Sequence, residues 1–244
     1  MPLLSVDEPT RASAHVREGT LAVRALQVIL SFVAGAVDST TFLALSGMFA
    51  AHVTGNFVVL AVGLVSFQGH GAAAKLLALP VFLVAAWLSA LFAQAWPWPR
   101  STLCSLLLTE VLLMCASLAV GYSLHAPVDA DSLRAMALGM LLVAAMGVQS
   151  ALGQLAFPKS PATTAMTTNV SRLAVELARR LMRRMQDGHR AGKRETAPHG
   201  AVAEVIGFVI GCGCGAIGYK LGGFPWLIGP LIMLCVAATL MRFT

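Results

Sequence analysis

Two groups of polar residues stand inside apolar sequence, and their types and spacing suit a binding site better than packing. The first is Gly35-Ala36-Val37-Asp38-Ser39 followed by Thr54-Gly55-Asn56, and the second is Met146-Gly147-Val148-Gln149-Ser150 followed by Thr167-Thr168-Asn169. An ionisable side chain in hydrocarbon is costly unless it faces a cavity, a partner or an ion, so Asp38, with Ser39 beside it, marks an ion, proton or substrate path. The competing reading is a protonated Asp38 that bonds one helix to another. A Thr-x-Asn before a short apolar run suits the start of a half-length helix, whose N-terminus leaves N–H groups unpaired and carries the positive end of the dipole. Thr54 or Asn56 can cap such an end, and Gly55 lets a ligand approach the backbone. The plainer alternative is an ordinary cap on a helix lying at the membrane surface.

The second group differs from the first. Gln149 stands in the place of Asp38 and keeps hydrogen bonding without a titratable charge. The connection that follows holds Pro158 and Pro161, which forbid regular helix through it. Arg172 lies three residues past Asn169 and four before Glu176, in register for an ion pair on one helix face. It draws an anionic substrate toward Thr167 and Asn169, or it is a solvated pair on a helix emerging from the membrane. Glu110 is a second acidic group inside an apolar window, although its counterpart in the second half, position 236, is Val. His52 reads as an outward-facing loop histidine, with pH sensing or ligand binding as the alternative. No P-loop-type nucleotide motif, metal-ligand spacing or nucleophile-base pairing is readable, so neither a cofactor nor a catalytic residue is assigned.

The elements that must position these residues are membrane helices. The chain is 57% hydrophobic and 11% charged, with a mean hydropathy of +0.78, outside the range of a soluble domain. Apolar windows cover Ala25–Leu45, Leu76–Ala95, Thr102–Leu124, Leu133–Leu152, Ala201–Tyr219 and Trp226–Met241, each near the ~20 residues a spanning helix needs. Phe57–Phe67 is about half that length, and Val170–Met185 is helical in period but rich in arginine. The expected fold is therefore all-α and polytopic. Asp38 falls roughly 20 Å along the first window at ~1.5 Å per residue, beyond the middle of a ~30 Å core. The five cysteines lie in apolar windows and read as small buried fillers. The rows Gly207-x3-Gly211-x3-Gly215 and Ala86-x3-Ala90 read as close-packing helix faces.

Charge sets the expected orientation. Asp7, Glu8, Arg11 and Arg17 rule out a cleavable signal, and residues 1–20 read as a cytosolic tail. The basic cluster Arg179 to Arg194 belongs in the cytoplasm. Counting both short segments as crossings puts the N-terminus, Lys75 and Arg242 on the cytoplasmic side, with the Asp129/Asp131 loop as the one discordant connection. Positive-inside anchoring accounts for the basic cluster, and nucleic acid is not expected as a partner.

Aligning the halves gives an offset of 111 from Asp38 to Gln149, 113 from Asn56 to Asn169 and 126 from Phe82 to Phe208. Two four-segment repeats follow, over 21–125 and 132–244, the second carrying a basic loop at 179–200. Each repeat has a half-length second helix, and an even number of segments implies a parallel relation.

The Ala34–Ser39 string, the Phe49–Asn56 segment and the looser echo from Gly147–Ser150 to Thr167–Asn169 resemble the YoaK family of uncharacterised bacterial inner-membrane proteins. The likeness covers roughly residues 22–242. Thr168, where the first half has Gly55, departs from a strict copy. The resemblance implies a bacterial plasma-membrane, multi-pass protein and no established activity. Residues 47–53 read as re-entering from outside to a half helix that starts near the bilayer middle, and with such broken helices in both halves the expected function is a small-solute secondary transporter or permease with its site between the repeats. Its expected partners are the lipid bilayer and a small anionic or zwitterionic solute. A membrane-embedded enzyme and a non-catalytic scaffold are the alternatives.

Overall fold

The computed structural model describes residues 21–67, 69–95, 99–122, 129–156 and 199–243, together with helical residues of the segment 170–182 other than 172, 176 and 180. Besides the helical residues within 170–182, the described residues form seven helices: α1 Leu21–Ala44, α2 Gly55–Val65, α3 Ala72–Ala95, α4 Pro99–Tyr122, α5 Leu133–Ala156, α6 His199–Gly222 and α7 Ile228–Phe243, the last preceded by a 3-10 turn at Phe224–Leu227. No strand occurs among the described residues, so the fold is all-α as the apolar windows predict. Five helices, α1, α3, α4, α5 and α6, are long and apolar enough to cross a membrane. The stretch Phe224–Thr239 is apolar but shorter.

The core sits on two central helices. The apolar windows of α1 and α5 are 67% and 72% buried, against 11% for α3, so Asp38 and Gln149 both lie on helices enclosed by the others. Outward faces are apolar: Phe57, Val62 and Val65 on α2, and Leu83, Trp87 and Leu88 on α3, are exposed. Such a surface belongs against lipid.

Close glycine contacts fix the directions of the helices. A Cβ on Gly207 would sit 2.9 Å from the Val28 carbonyl oxygen, one on Gly215 would sit 2.5 Å from that of Ala36, and one on Gly211 would collide with that of Phe32. The numbering difference stays constant along the contact, so α1 and α6 run parallel, and the glycine row is the packing face expected. The α5 helix runs the other way. Gly139, near its start, meets Leu45 and Met48 beyond the end of α1, while Gln149, near its finish, reaches Leu30.

These contacts correct one expectation. Gly71, just before α3, donates its N–H to Asp131 Oδ1 at 2.8 Å and lies against the Leu45 carbonyl. The chain therefore leaves α1 and enters α3 at the same end of the bundle, and α2 returns rather than crosses. The first half does not have four crossings, and Lys75 lies at the end opposite the start of α1. The parallel relation deduced from an even number loses its basis. The Asp129/Asp131 loop shares the far end with Lys75, so its acidity is no longer discordant. The N-terminal tail 1–20, most of the basic loop, and Thr167, Asn169 and Arg172 lie outside the described residues.

Candidate functional site

Helix α1 ends in a way that turns the chain back into the bundle. Ser46 and Gly47 have φ of 51° and 83°, and the Gly47 N–H closes on the Phe42 carbonyl at 2.8 Å, a left-handed helix stop. The following residues then descend along α1 to Asp38, six residues before the helix end and thus ~9 Å below it. There the Asp38 carboxylate gathers the loop. Its Oδ1 accepts the N–H groups of Ala50 at 2.9 Å and Ala51 at 2.6 Å, and its Oδ2 accepts the His52 N–H at 3.3 Å. The His52 ring adds Nδ1 at 2.5 Å from Oδ2. Bonds to an ionised acceptor are roughly twice as strong as neutral ones, so one buried carboxylate organises three successive backbone amides.

Asn56 fixes the same loop from the other side. Its Oδ1 accepts the Phe49 N–H at 2.7 Å and its Nδ2 donates to the Phe49 carbonyl at 2.8 Å. The expectation that Asn56 or Thr54 caps α2 is replaced by this pairing: Asn56 is spent on Phe49, and Thr54 occupies the cap position with no side-chain bond to the helix. The first amides of α2 are engaged in tight turns, Gly55 to the His52 carbonyl at 2.8 Å and Asn56 to that of Val53 at 3.2 Å. Gly55 is a glycine for a local reason, because a Cβ there would stand 3.1 Å from the Phe49 ring. Helix α2 then climbs back to the end it came from, so its half length matches a re-entrant path.

A pocket of about 630 Å³ opens beside this junction, between α1, the start of α2 and α6. Asp38, Ser39, His52 and Thr54 form its polar end, with Gly55 alongside, and Phe42, Leu43, Phe49, Phe208, Cys212 and Ala216 its apolar wall. The rings are mutually packed: Phe42 to Phe49 at 5.0 Å between centroids and His52 to Phe208 at 5.3 Å. His52 lies in the loop outside the spanning helices, and the Asp38 carboxylate bonded to its ring raises its pKa above the ordinary value, against the opposing effect of burial. Chemically the junction is a carboxylate–imidazole pair that holds or yields a proton at the wall of an apolar pocket.

Of the residues singled out from sequence, the structure brings Asp38, Ser39, Thr54 and Gly55 to one pocket, with Asn56 buried behind it. Gln149 is elsewhere. It donates through Nε2 to the Leu30 carbonyl at 3.0 Å, two turns of α1 away from Asp38, and its Oε1 is buried without a partner. The partner that sequence reasoning underrated is His52, whose signal was its place two residues before Thr54, on a loop short enough to fold back onto α1. A family profile described as "Protein of unknown function (DUF1275)" matches residues 26–241. No curated protein and no solved structure matches the chain.

Proposed function

The chain belongs to the DUF1275 family of proteins of unknown function, and we propose that it is a small-solute secondary permease whose substrate pocket is the one walled by Asp38, His52 and the start of α2. The observation that carries this reading is the re-entrant loop: a buried carboxylate pins a broken helical segment at the wall of a pocket that opens on the flank of a lipid-facing bundle. Irregular backbone at such depth is tolerated where protein buries it or where it lines a cavity, and this loop does both. A solute with an apolar body and a small anionic head fits the aromatic wall and the His52 ring and Thr54 hydroxyl at the polar end.

The repeat supports alternating access in a revised form. With α2 returning, each half contributes three crossings, α1, α3 and α4 against α5, α6 and α7, and an odd number relates the halves by inversion. Comparable contacts support the relation: Gly35 on α1 packs on the Phe208 carbonyl of α6, and Gly147 on α5, which the offset of 111 pairs with Ala36, packs on the Phe82 carbonyl of α3. The phenylalanines are the two that the offset of 126 pairs. The likeness to the YoaK family supports a bacterial inner-membrane location, and the basic end of the bundle supports cytoplasmic N- and C-termini.

Thermal unfolding of the purified protein against a metabolite panel tests the pocket. A stabilising solute should lose its effect in Ala216→Trp, which fills the apolar wall, and weaken in Thr54→Ala. Stabilisation untouched by both substitutions would place the site elsewhere.

A further inference from the structure

Away from the pocket, the interior of the bundle holds a second concentration of polar groups. Glu110 on α4 is 0% exposed, and neither of its carboxylate oxygens has a hydrogen-bond partner. It belongs to the buried stripe Leu103, Leu107, Glu110, Met114, Ser117 and Gly121, and Gly121 packs against Leu138 of α5. Helices α4 and α5 are joined at that end and run antiparallel. Eleven residues, about three turns, separate Gly121 from Glu110, and eleven separate Leu138 from Gln149, so Glu110 and Gln149 fall on facing sides at one level. Gln149 is itself 0% exposed with Oε1 unpartnered, and its Nε2 bond to Leu30 brings the level onto α1. Next to Leu30 stands Ser31, whose buried hydroxyl also lacks a partner.

Helices α4, α5 and α1 thus supply one carboxylate, one amide oxygen and one hydroxyl, all buried and without a hydrogen-bond partner. A carboxylate stays ionised in hydrocarbon only with a donor or a cation beside it, and oxygen ligands of this kind suit hard cations. Asp38 offers no comparable vacancy, because its two oxygens already take three amides and the His52 ring.

We propose that Glu110, Gln149 and Ser31 form a binding site for one dehydrated monovalent metal cation of the sodium type. A single positive charge balances the single carboxylate, whereas a divalent ion leaves an uncompensated charge in the core. The assignment stands without the permease reading. If the permease reading also holds, the coupling ion sits in the bundle centre and Asp38 serves the loop.

The test is thermal unfolding of the whole purified protein in nanodiscs, with sodium chloride titrated against choline chloride at constant ionic strength and repeated at several pH values. Sodium should raise Tm with the logarithm of its concentration above Kd, by roughly 5–10 °C at a hundredfold excess. Glu110→Gln should abolish the response, Gln149→Leu and Ser31→Ala should each raise the sodium concentration at which Tm begins to climb about tenfold or more, and Gly213→Ala, with nothing within 4 Å of the added Cβ, should leave it unchanged. Should Glu110→Gln fail to fold, the other two substitutions carry the same reading. A sodium response that survives all of them overturns the site. So does a wild type indifferent to sodium whose stability follows pH through Glu110, which would make the guest a proton.

Discussion

Asp38 and Asn56 each hold backbone rather than merely facing a cavity, and that makes their removal expensive. Asn56→Ala leaves the Phe49 N–H and carbonyl without their partners, a loss of about 2–4 kcal/mol when both groups stay away from water. Asp38→Asn keeps an acceptor but removes the charge shared by three amides and places an NH2 group among donors, so a loss of about 2–3 kcal/mol is expected. Both should appear in thermal melts as lowered Tm, and a melt unchanged in either would mean the loop does not depend on these bonds. His52 adds a pH dependence of defined sign. Because its folded pKa is raised, the stability it contributes is full below the ordinary histidine value near 6.5 and is lost as pH rises through the higher folded value. Tm should therefore fall as pH climbs above about 6.5, and His52→Asn should flatten that slope. A slope of the opposite sign would refute the pairing.

Among the elements, the tightest constraint is the α1–α6 contact. Gly211 has no room for a Cβ because the Phe32 carbonyl occupies the space, whereas Gly213 on the same helix has nothing within 4 Å. Gly211→Ala should force the helices apart and destabilise by about 1–3 kcal/mol, while Gly213→Ala should be neutral or stabilise by about 0.5–1 kcal/mol through helix propensity. Equal effects from the two substitutions would remove the packing explanation. This interface was legible in sequence because a small residue every fourth position is a pattern one helix displays by itself. The path of α2 was only half legible. Eleven apolar residues declared a short helix, but whether such a helix crosses or returns is decided by bonds its own sequence does not contain: Asp38 to Ala50, and Gly71 to Asp131. The sequence offers the Asn56 side chain as a cap for the same reason. A cap is the nearest local use of an asparagine, and the Phe49 backbone becomes available only after the loop has folded back.

For the whole molecule, the placement of α2 reverses the side on which half of the connections fall. Lys75, Arg134 and Lys220 lie at the end shared by the finish of α1 and the start of α5. In sequence, the other fourteen of the 17 Lys and Arg residues precede α1 or stand in its first turn, flank the start of α4 or the finish of α7, or fall between Ala156 and His199, whose helix ends both lie at the opposite end. An asymmetry of fourteen against three equals that of the eight-segment layout, whose three outliers are Arg100, Lys159 and Lys220, and it needs no exception for the acidic loop. Single cysteines introduced into a cysteine-free background provide the check. Cysteine at position 131 should react with a membrane-impermeant maleimide added to intact cells, and cysteine at position 24 should react only after the membrane is opened. Both positions reacting from outside, or the reverse pattern, would return α2 to a crossing or invert the molecule. The same experiment bears on the repeat. An α2 that returns leaves three crossings per half, and only then do the Gly35–Phe208 and Gly147–Phe82 contacts relate inverted halves. Labelling at 131 from outside is thus the result on which an inverted, alternating-access reading of the fold depends.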